Sequence, residues 1–230
     1  MVQFHQLQLC DNKKPGFISL LTLAKENSFL LEQNYLSLKE KVQLSHFKTN
    51  KRRESFLAGR VAAKAAIEKY VGESFNIKQI SVENGLFRQP FIDHVNVSLS
   101  ISHSDEVAGS VVGPAGIPLA LDIERISSSL HQVLTSVINE HHPDLYQLTL
   151  IEKMAIWSGM EALSKVIQTG FTTSLSIYRV NQLKPNHHYI ELMFKYFPSF
   201  LARCYVLEPY VITLVLPKNL SFPDYLEFKL

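Results

Sequence analysis

The chain has 230 residues, 46% hydrophobic and 19% charged, with 23 Lys and Arg against 21 Asp and Glu. That is enough for one large or two small domains with a sizeable core, and the near balance of charge argues against a chain built to bind a polyanion. Two cysteines, Cys10 and Cys204, are too few for a disulfide framework, no basic-then-apolar leader opens the chain, and no apolar run is long enough to span a bilayer, so a cytoplasmic protein is expected.

Residues 29–70 are predicted to be helical in two pieces parted near "FKTNK" (47–51). The second piece, "RRESFLAGRVAAKAAIEKY" (52–70), is rich in alanine and poor in β-branched residues, which favours helix. Lys51, Arg52 and Arg53 stand at its start, and Arg60 and Lys64 follow one turn apart. Between Lys39 and Lys69 there are nine Lys or Arg and three Glu, an excess of six positive charges, whereas residues 104–144 are mostly acidic. This asymmetry points to a small anionic ligand and away from a nucleic-acid backbone. A helix start offers free N–H groups and a favourable dipole to phosphate, and Arg can grip it in a bidentate way. The competing reading is a solvated cationic face.

"HVNVSLSIS" (94–102) alternates, with Val95, Val97, Leu99 and Ile101 on one side and Asn96, Ser98, Ser100 and Ser102 on the other. It reads as a half-buried strand ending at His103. "VAGSVVG" (107–113) is a second strand, and the turn "GPAGIP" (113–118) marks a junction between halves spanning 1–115 and 116–230. The next strand, "LALDIE" (119–124), carries Asp122 and Glu124 on the face opposite Leu119, Leu121 and Ile123. Two carboxylates aimed the same way repel unless a cation lies between them, and a hard divalent ion bound through oxygen fits. The alternative is a strand end whose acids are hydrated.

A long helix is predicted from about Tyr146 to Gln168. Leu150, Met154, Trp157, Glu161 and Lys165 fall on one stripe, beside a second of Ile156, Met160, Leu163 and Ile167. Glu161 therefore points where apolar side chains point. Such a carboxylate neutralises or finds a cation. Two partners are open to it: Lys165 as an (i, i+4) pair, or a metal shared with Asp122 and Glu124 while Lys165 turns to an anionic ligand. Glu140, His141 and His142 are expected in a loop, and the sequence leaves open whether that loop approaches the ion. "SLSIYRV" (174–180), "HYIELMF" (188–194) and "ARCYVLEPYVITLVL" (202–216) read as strands. The fold class expected is α+β, each half combining helices with a mainly antiparallel sheet.

Taken in order, "RRESFLAGRVAAKAAI" (52–67), "SISHS" (100–104), "LALDIE" (119–124), "WSGMEALSK" (157–165) and "GFTTSL" (170–175) resemble the monomeric, two-half 4′-phosphopantetheinyl transferases that activate carrier proteins. The resemblance covers roughly residues 39–180 and implies two similar halves related by a pseudo-twofold, with coenzyme A and Mg²⁺ in the cleft between them. It implies that Asp122, Glu124 and Glu161 hold Mg²⁺ and that Glu161 is the base for the carrier serine. Lys165 and His103 would contact coenzyme A phosphates, with Ser102 beside His103, and Arg52 and Arg60 would grip the 3′-phosphate, with Arg53 the alternative in register. It further implies a monomer whose partners are coenzyme A and an apo acyl, peptidyl or aryl carrier protein of fatty acid, polyketide or nonribosomal peptide (including siderophore) assembly, with neither nucleic acid nor membrane involved. Three positions depart from the family pattern: Met160 replaces a lysine, Ala120 a glycine, and Gln89 in "FRQP" (87–90) a basic residue. Met160 and Gln89 suggest one alternative, a weak or inactive carrier-binding homologue. A metal-dependent nuclease is a second, although Ile126 stands where such sites usually have lysine.

Overall fold

The polar stretch before the alanine-rich helix folds as two short helices. In the computed structural model, which describes residues 2–7, 16–22, 28–72, 76–142, 145 and 147–228, the first part of the chain runs β1 (Val2–Leu7), β2 (Gly16–Thr22), α1 (Ser28–Tyr35), α2 (Leu38–Ser45), α3 (Asn50–Val71), β3 (Val82–Asn84), β4 (Pro90–Ile92), β5 (Val97–Ser104) and β6 (Val107–Pro114). The expected single helix before "FKTNK" is broken at Ser37. Its hydroxyl accepts the Glu40 N–H while the Glu40 carboxylate accepts the Ser37 N–H, a capping box that starts a new helix there.

The rest runs β7 (Ala120–Arg125), α4 (His131–His141), α5 (Leu150–Val166), β8 (Val180–Pro185), β9 (Ile190–Phe194), β10 (Phe200–Leu207) and β11 (Tyr210–Pro217). The chain divides into two units, Met1–Ile117 with Phe228–Leu230, and Pro118–Glu227. Every recorded strand pairing is antiparallel, in line with the α+β expectation.

In the first unit a sheet of order β1-β2-β6-β5 carries α3 against it, and β3 pairs with β4 apart from it. Small residues let α3 sit close: the Ser19 hydroxyl donates to the Ala62 carbonyl at 2.6 Å, and a Cβ on Gly59 would lie 3.2 Å from Ile101. Leu57, Ala58, Val61 and Ala62 pack with Leu21, Leu36 and Leu44, while Ala63, Ala66, Ile67 and Tyr70 pack with Val82 and Val112. The predicted strand at 94–102 begins at Val97, and its serine side is not open to water. Ser100 and Ser102 are buried, while Val97, Leu99 and Ile101 lean on the α3 cluster.

In the second unit a sheet of order β7-β11-β10-β9-β8 carries α5. Thr149 and Glu152 form the capping box that starts this helix at Leu150; Tyr146, the expected start, lies outside the described residues, as does Cys10. Met154, Ala155, Met160 and Leu163 join Leu192, Phe194 and Ala202 in the core, and Gly159 passes so close that a Cβ there would meet Leu192 at 2.6 Å. "SLSIYRV" is not a strand along its length: Leu175–Tyr178 is a short 3-10 helix, and β8 begins at Val180. The buried Tyr178 hydroxyl explains the fold-back, because it donates to the Gly170 carbonyl and lies 2.7 and 2.9 Å from the hydroxyls of Thr169 and Thr173. Among the described residues no helix is long and apolar enough to cross a membrane.

Candidate active site

Strand β7 pairs with β11 in a register that sets Asp122 opposite Thr213 and Glu124 opposite Val211. Ala120, on the face shared by Asp122 and Glu124, packs into the core beneath α5. The two acids therefore point toward the helix. Asp122 is only 1% exposed, so the reading of a strand end whose acids are hydrated fails for it. From α5, Glu161 reaches the same place, and Asp122, Glu124 and Glu161 offer carboxylate oxygens that all lie within 4.8 Å of one another.

Lys165 lies among them. Its Nζ donates to Asp122 Oδ1 at 2.6 Å and to the Leu121 carbonyl at 3.3 Å, and stands 3.6 Å from Glu161 Oε1. Glu161 thus pairs with Lys165 one turn on, as one reading had it, and stands beside the other two acids, while Lys165 itself turns to Asp122. Two further groups, missed from the sequence as site residues, complete the surround. The Ser158 hydroxyl donates to Asp122 Oδ2 at 2.7 Å, and the Trp157 indole N–H donates to Glu124 Oε1 at 3.3 Å. Ser158 was legible by spacing, since 158, 161 and 165 share a helix face.

The electrostatics follow from burial and like charge. Burial first, then Asp122 and Glu161, push the Glu124 carboxyl up to about 7. Glu161 is raised by burial and by Asp122, with Lys165 opposing. Burial alone would lower Lys165, yet Asp122, Glu161 and Glu124 outweigh it and hold the ammonium above its usual value. Were the three carboxylates and the ammonium all ionised, two negative charges would remain, and one divalent cation would neutralise them. The all-oxygen donor set suits a hard ion such as Mg²⁺.

His142 is not near this centre in function. It ends α4, with Glu140 and His141 in that helix and not in a loop. Its Nδ1 accepts the Val180 N–H at 3.1 Å, and its Nε2 lies 3.2 Å from Met160 Sδ. Burial pushes the imidazole down to about 4. Because Nδ1 accepts, the proton sits on Nε2 and is directed at sulfur. The Met160 side chain is fully buried in the apolar core against this histidine. Gln89 is likewise structural, its Oε1 accepting the Phe87 N–H at 3.0 Å to close the β3–β4 turn.

In the first unit, Arg52 is exposed at the start of α3, where Thr49 caps its backbone N–H, and its guanidinium lies 5.3 Å from the Phe47 ring. Arg53 donates to the Leu44 carbonyl at 3.3 Å. Arg60 and Lys64 overturn the reading of a solvated cationic face, because both are buried against Glu40, a residue the sequence reading passed over. Lys64, fully buried, donates to Glu40 Oε2 at 2.5 Å and to the carbonyls of Tyr35 and Ile80, each at 2.8 Å. Three acceptors take all three N–H bonds of an ammonium, so Lys64 is charged. Arg60 Nε stands 3.7 Å from Glu40 Oε1, with its guanidinium 4.7 Å from the Phe56 ring. Burial lowers its pKa against the pull of Glu40. Ser102 is buried and His103 exposed near the end of β5, paired in register with Gly109 and Ala108.

Residues 40–113 match the family model described as the 4′-phosphopantetheinyl transferase N-terminal domain. Among solved structures, the chain is similar to a holo-(acyl-carrier-protein) synthase from Bacillus anthracis str. Ames in complex with CoA (3′,5′-ADP). They share 30% identity over 43% of this chain and 94% of that one, with a TM-score of 0.38. It is also similar to holo-[acyl-carrier-protein] synthase from Thermotoga maritima, at 20% identity over 56% of this chain and 74% of that one, with a TM-score of 0.35. No protein of curated function matches in sequence. The family match over residues 40–113 is what establishes kinship: that part of the chain belongs to the 4′-phosphopantetheinyl transferase family as its N-terminal domain.

Proposed function

We propose that the protein transfers the 4′-phosphopantetheine group of coenzyme A to a serine of an apo carrier protein, in an Mg²⁺-dependent reaction that releases adenosine 3′,5′-bisphosphate. The observation that supports this most is the gathering of Asp122, Glu124 and Glu161 within 4.8 Å around the Lys165 ammonium. An ion held there would supply charge stabilisation to a pyrophosphate as its phosphoanhydride P–O bond breaks and adenosine 3′,5′-bisphosphate leaves.

The residues of the chain do the rest. Asp122, locked by Ser158 and Lys165, contributes a fixed carboxylate. Glu161, whose affinity for protons is raised by burial and Asp122, accepts the serine proton so that the hydroxyl oxygen attacks phosphorus. Lys165 presents an ammonium to the diphosphate oxygens. Arg52 and Arg60 take the 3′-phosphate, and Ser102 and His103 take a further phosphate oxygen, as the family resemblance implies. The carrier protein belongs to the acyl, peptidyl or aryl class, and the enzyme acts as a monomer in the cytoplasm.

The test is to incubate purified protein with apo carrier protein, coenzyme A and Mg²⁺ and weigh the carrier by mass spectrometry. The expected result is a carrier heavier by one phosphopantetheine group, and no change when a chelator removes the metal. An unmodified carrier with coenzyme A intact would refute the assignment.

A further inference from the structure

The chain has one tryptophan, and its indole N–H is the hydrogen bond that Glu124 receives among the described residues. The other acids of the cluster, Asp122 and Glu161, repel Glu124. Asp122 has both carboxylate oxygens engaged, by Lys165 and Ser158, whereas Glu124 relies on this single donor. The indole is itself braced. Its ring lies 5.2 Å from that of Phe171, which in turn meets Tyr178 edge-on at 5.5 Å. Tyr178 is fully buried and stitches Thr169, Gly170 and Thr173 together through its hydroxyl. A continuous stack therefore runs from a carboxylate of the acidic cluster, through two aromatic rings, to a third that fixes residues 169–173.

We propose that Trp157 is a positioning residue for the metal site: its N–H fixes the orientation of Glu124, and the stack through Phe171 and Tyr178 makes that orientation depend on the fold of residues 169–178. The inference rests on the Mg²⁺ site proposed above. A group that holds a ligand without touching the ion commonly changes metal affinity by tenfold or more when removed. Trp157→Phe keeps a ring against Phe171 and deletes only the donor. Phe171→Leu keeps the donor and loosens its support.

The experiment titrates Mg²⁺ alone into the full-length protein, following heat by calorimetry and the emission of the single tryptophan. In the wild type, emission is expected to change with the same midpoint as the heat. Trp157→Phe is expected to bind Mg²⁺ about tenfold more weakly at the same stoichiometry, with unchanged far-ultraviolet circular dichroism, and Phe171→Leu to fall between the two. Equal affinity in Trp157→Phe and wild type would overturn the positioning role while leaving the metal site standing. Heat of binding with unmoved tryptophan emission would do the same, and this wild-type measurement decides the matter even if a variant does not fold. No Mg²⁺ binding by the wild type would remove the site itself and the inference with it.

Discussion

Lys165 Nζ lies 2.6 Å from Asp122 Oδ1 in a pocket that also holds Glu161 and feels the charge of Glu124. The ammonium is thus the resident counter-charge of the acidic cluster as well as a candidate phosphate contact. Lys165→Met removes it and leaves a carboxylate only 1% exposed without its ionic partner. Breaking one side of such a pair costs about 3 kcal/mol. Urea unfolding in the presence of a chelator should show that loss, and Mg²⁺ should restore more stability to the variant than it adds to the wild type. Equal Mg²⁺ effects on the two proteins would mean that the ion and the ammonium do not share the cluster.

Glu161→Gln keeps the shape of the side chain while removing its negative charge and its capacity to take a proton. Transfer to the carrier should fall by about 10²–10⁴-fold, with the thermal melting point within a few degrees of wild type. Undiminished turnover would take Glu161 out of both the base and the metal roles.

The proposed function gives Arg60 the 3′-phosphate of coenzyme A. Arg60→Ala should weaken binding of coenzyme A by about 1.5–3 kcal/mol and barely alter binding of an analogue lacking that phosphate, as read by calorimetry with both ligands. Equal losses would show that Arg60 serves only its buried contact with Glu40.

Glu40 and Lys64 form a buried pair that ties α2 to α3, with the Val82 N–H donating to Glu40 Oε1 at 3.0 Å and so bringing in β3. Glu40→Ala leaves a fully buried ammonium and should cost about 3–5 kcal/mol in urea unfolding. Glu40→Met combined with Lys64→Met should recover much of it, since a well-packed apolar pair often replaces a buried ion pair without loss. A double variant as unstable as Glu40→Ala would contradict this account of the pair.

His142 sets an acid limit on the second unit. Its imidazole titrates at about 4 in the folded protein against 6.5 for an unburied group. Between those values the unfolded chain binds the additional proton, so stability is intact above about pH 6.5 and is lost as pH falls toward about pH 4, by about 3 kcal/mol at most. His142→Gln, which still accepts from Val180, should flatten that limb of a plot of urea midpoint against pH.

The alternation of β7 placed Asp122 and Glu124 on one face, and the helical spacing of α5 placed Glu161 and Lys165 together; both relations are local, and periodicity carries them. The convergence of those two segments is not local: the buried stripe position of Glu161 left it as one of two options, and the family resemblance favoured it. What stayed hidden depended on long-range partners. Lys64 sits in "AAKAA", and nothing beside it shows that Glu40, 24 residues earlier, neutralises it. The serines of β5 look like a wet face until the fold buries Ser100 and Ser102. "SLSIYRV" has strand composition, but the hydroxyl of Tyr178 draws residues 169–178 into a turn of its own. Trp157 looked like one more apolar residue on its stripe; only the finished packing shows that its N–H meets Glu124.

The central claim is that one Mg²⁺, bound by Asp122, Glu124 and Glu161, receives the diphosphate of coenzyme A. A crystal structure of the protein soaked with coenzyme A and Mn²⁺, a Mg²⁺ substitute visible by anomalous scattering, tests it most directly. The account predicts a single anomalous peak in contact with all three carboxylates and with diphosphate oxygens. A diphosphate bound elsewhere, or a peak that leaves out Glu161, would contradict it.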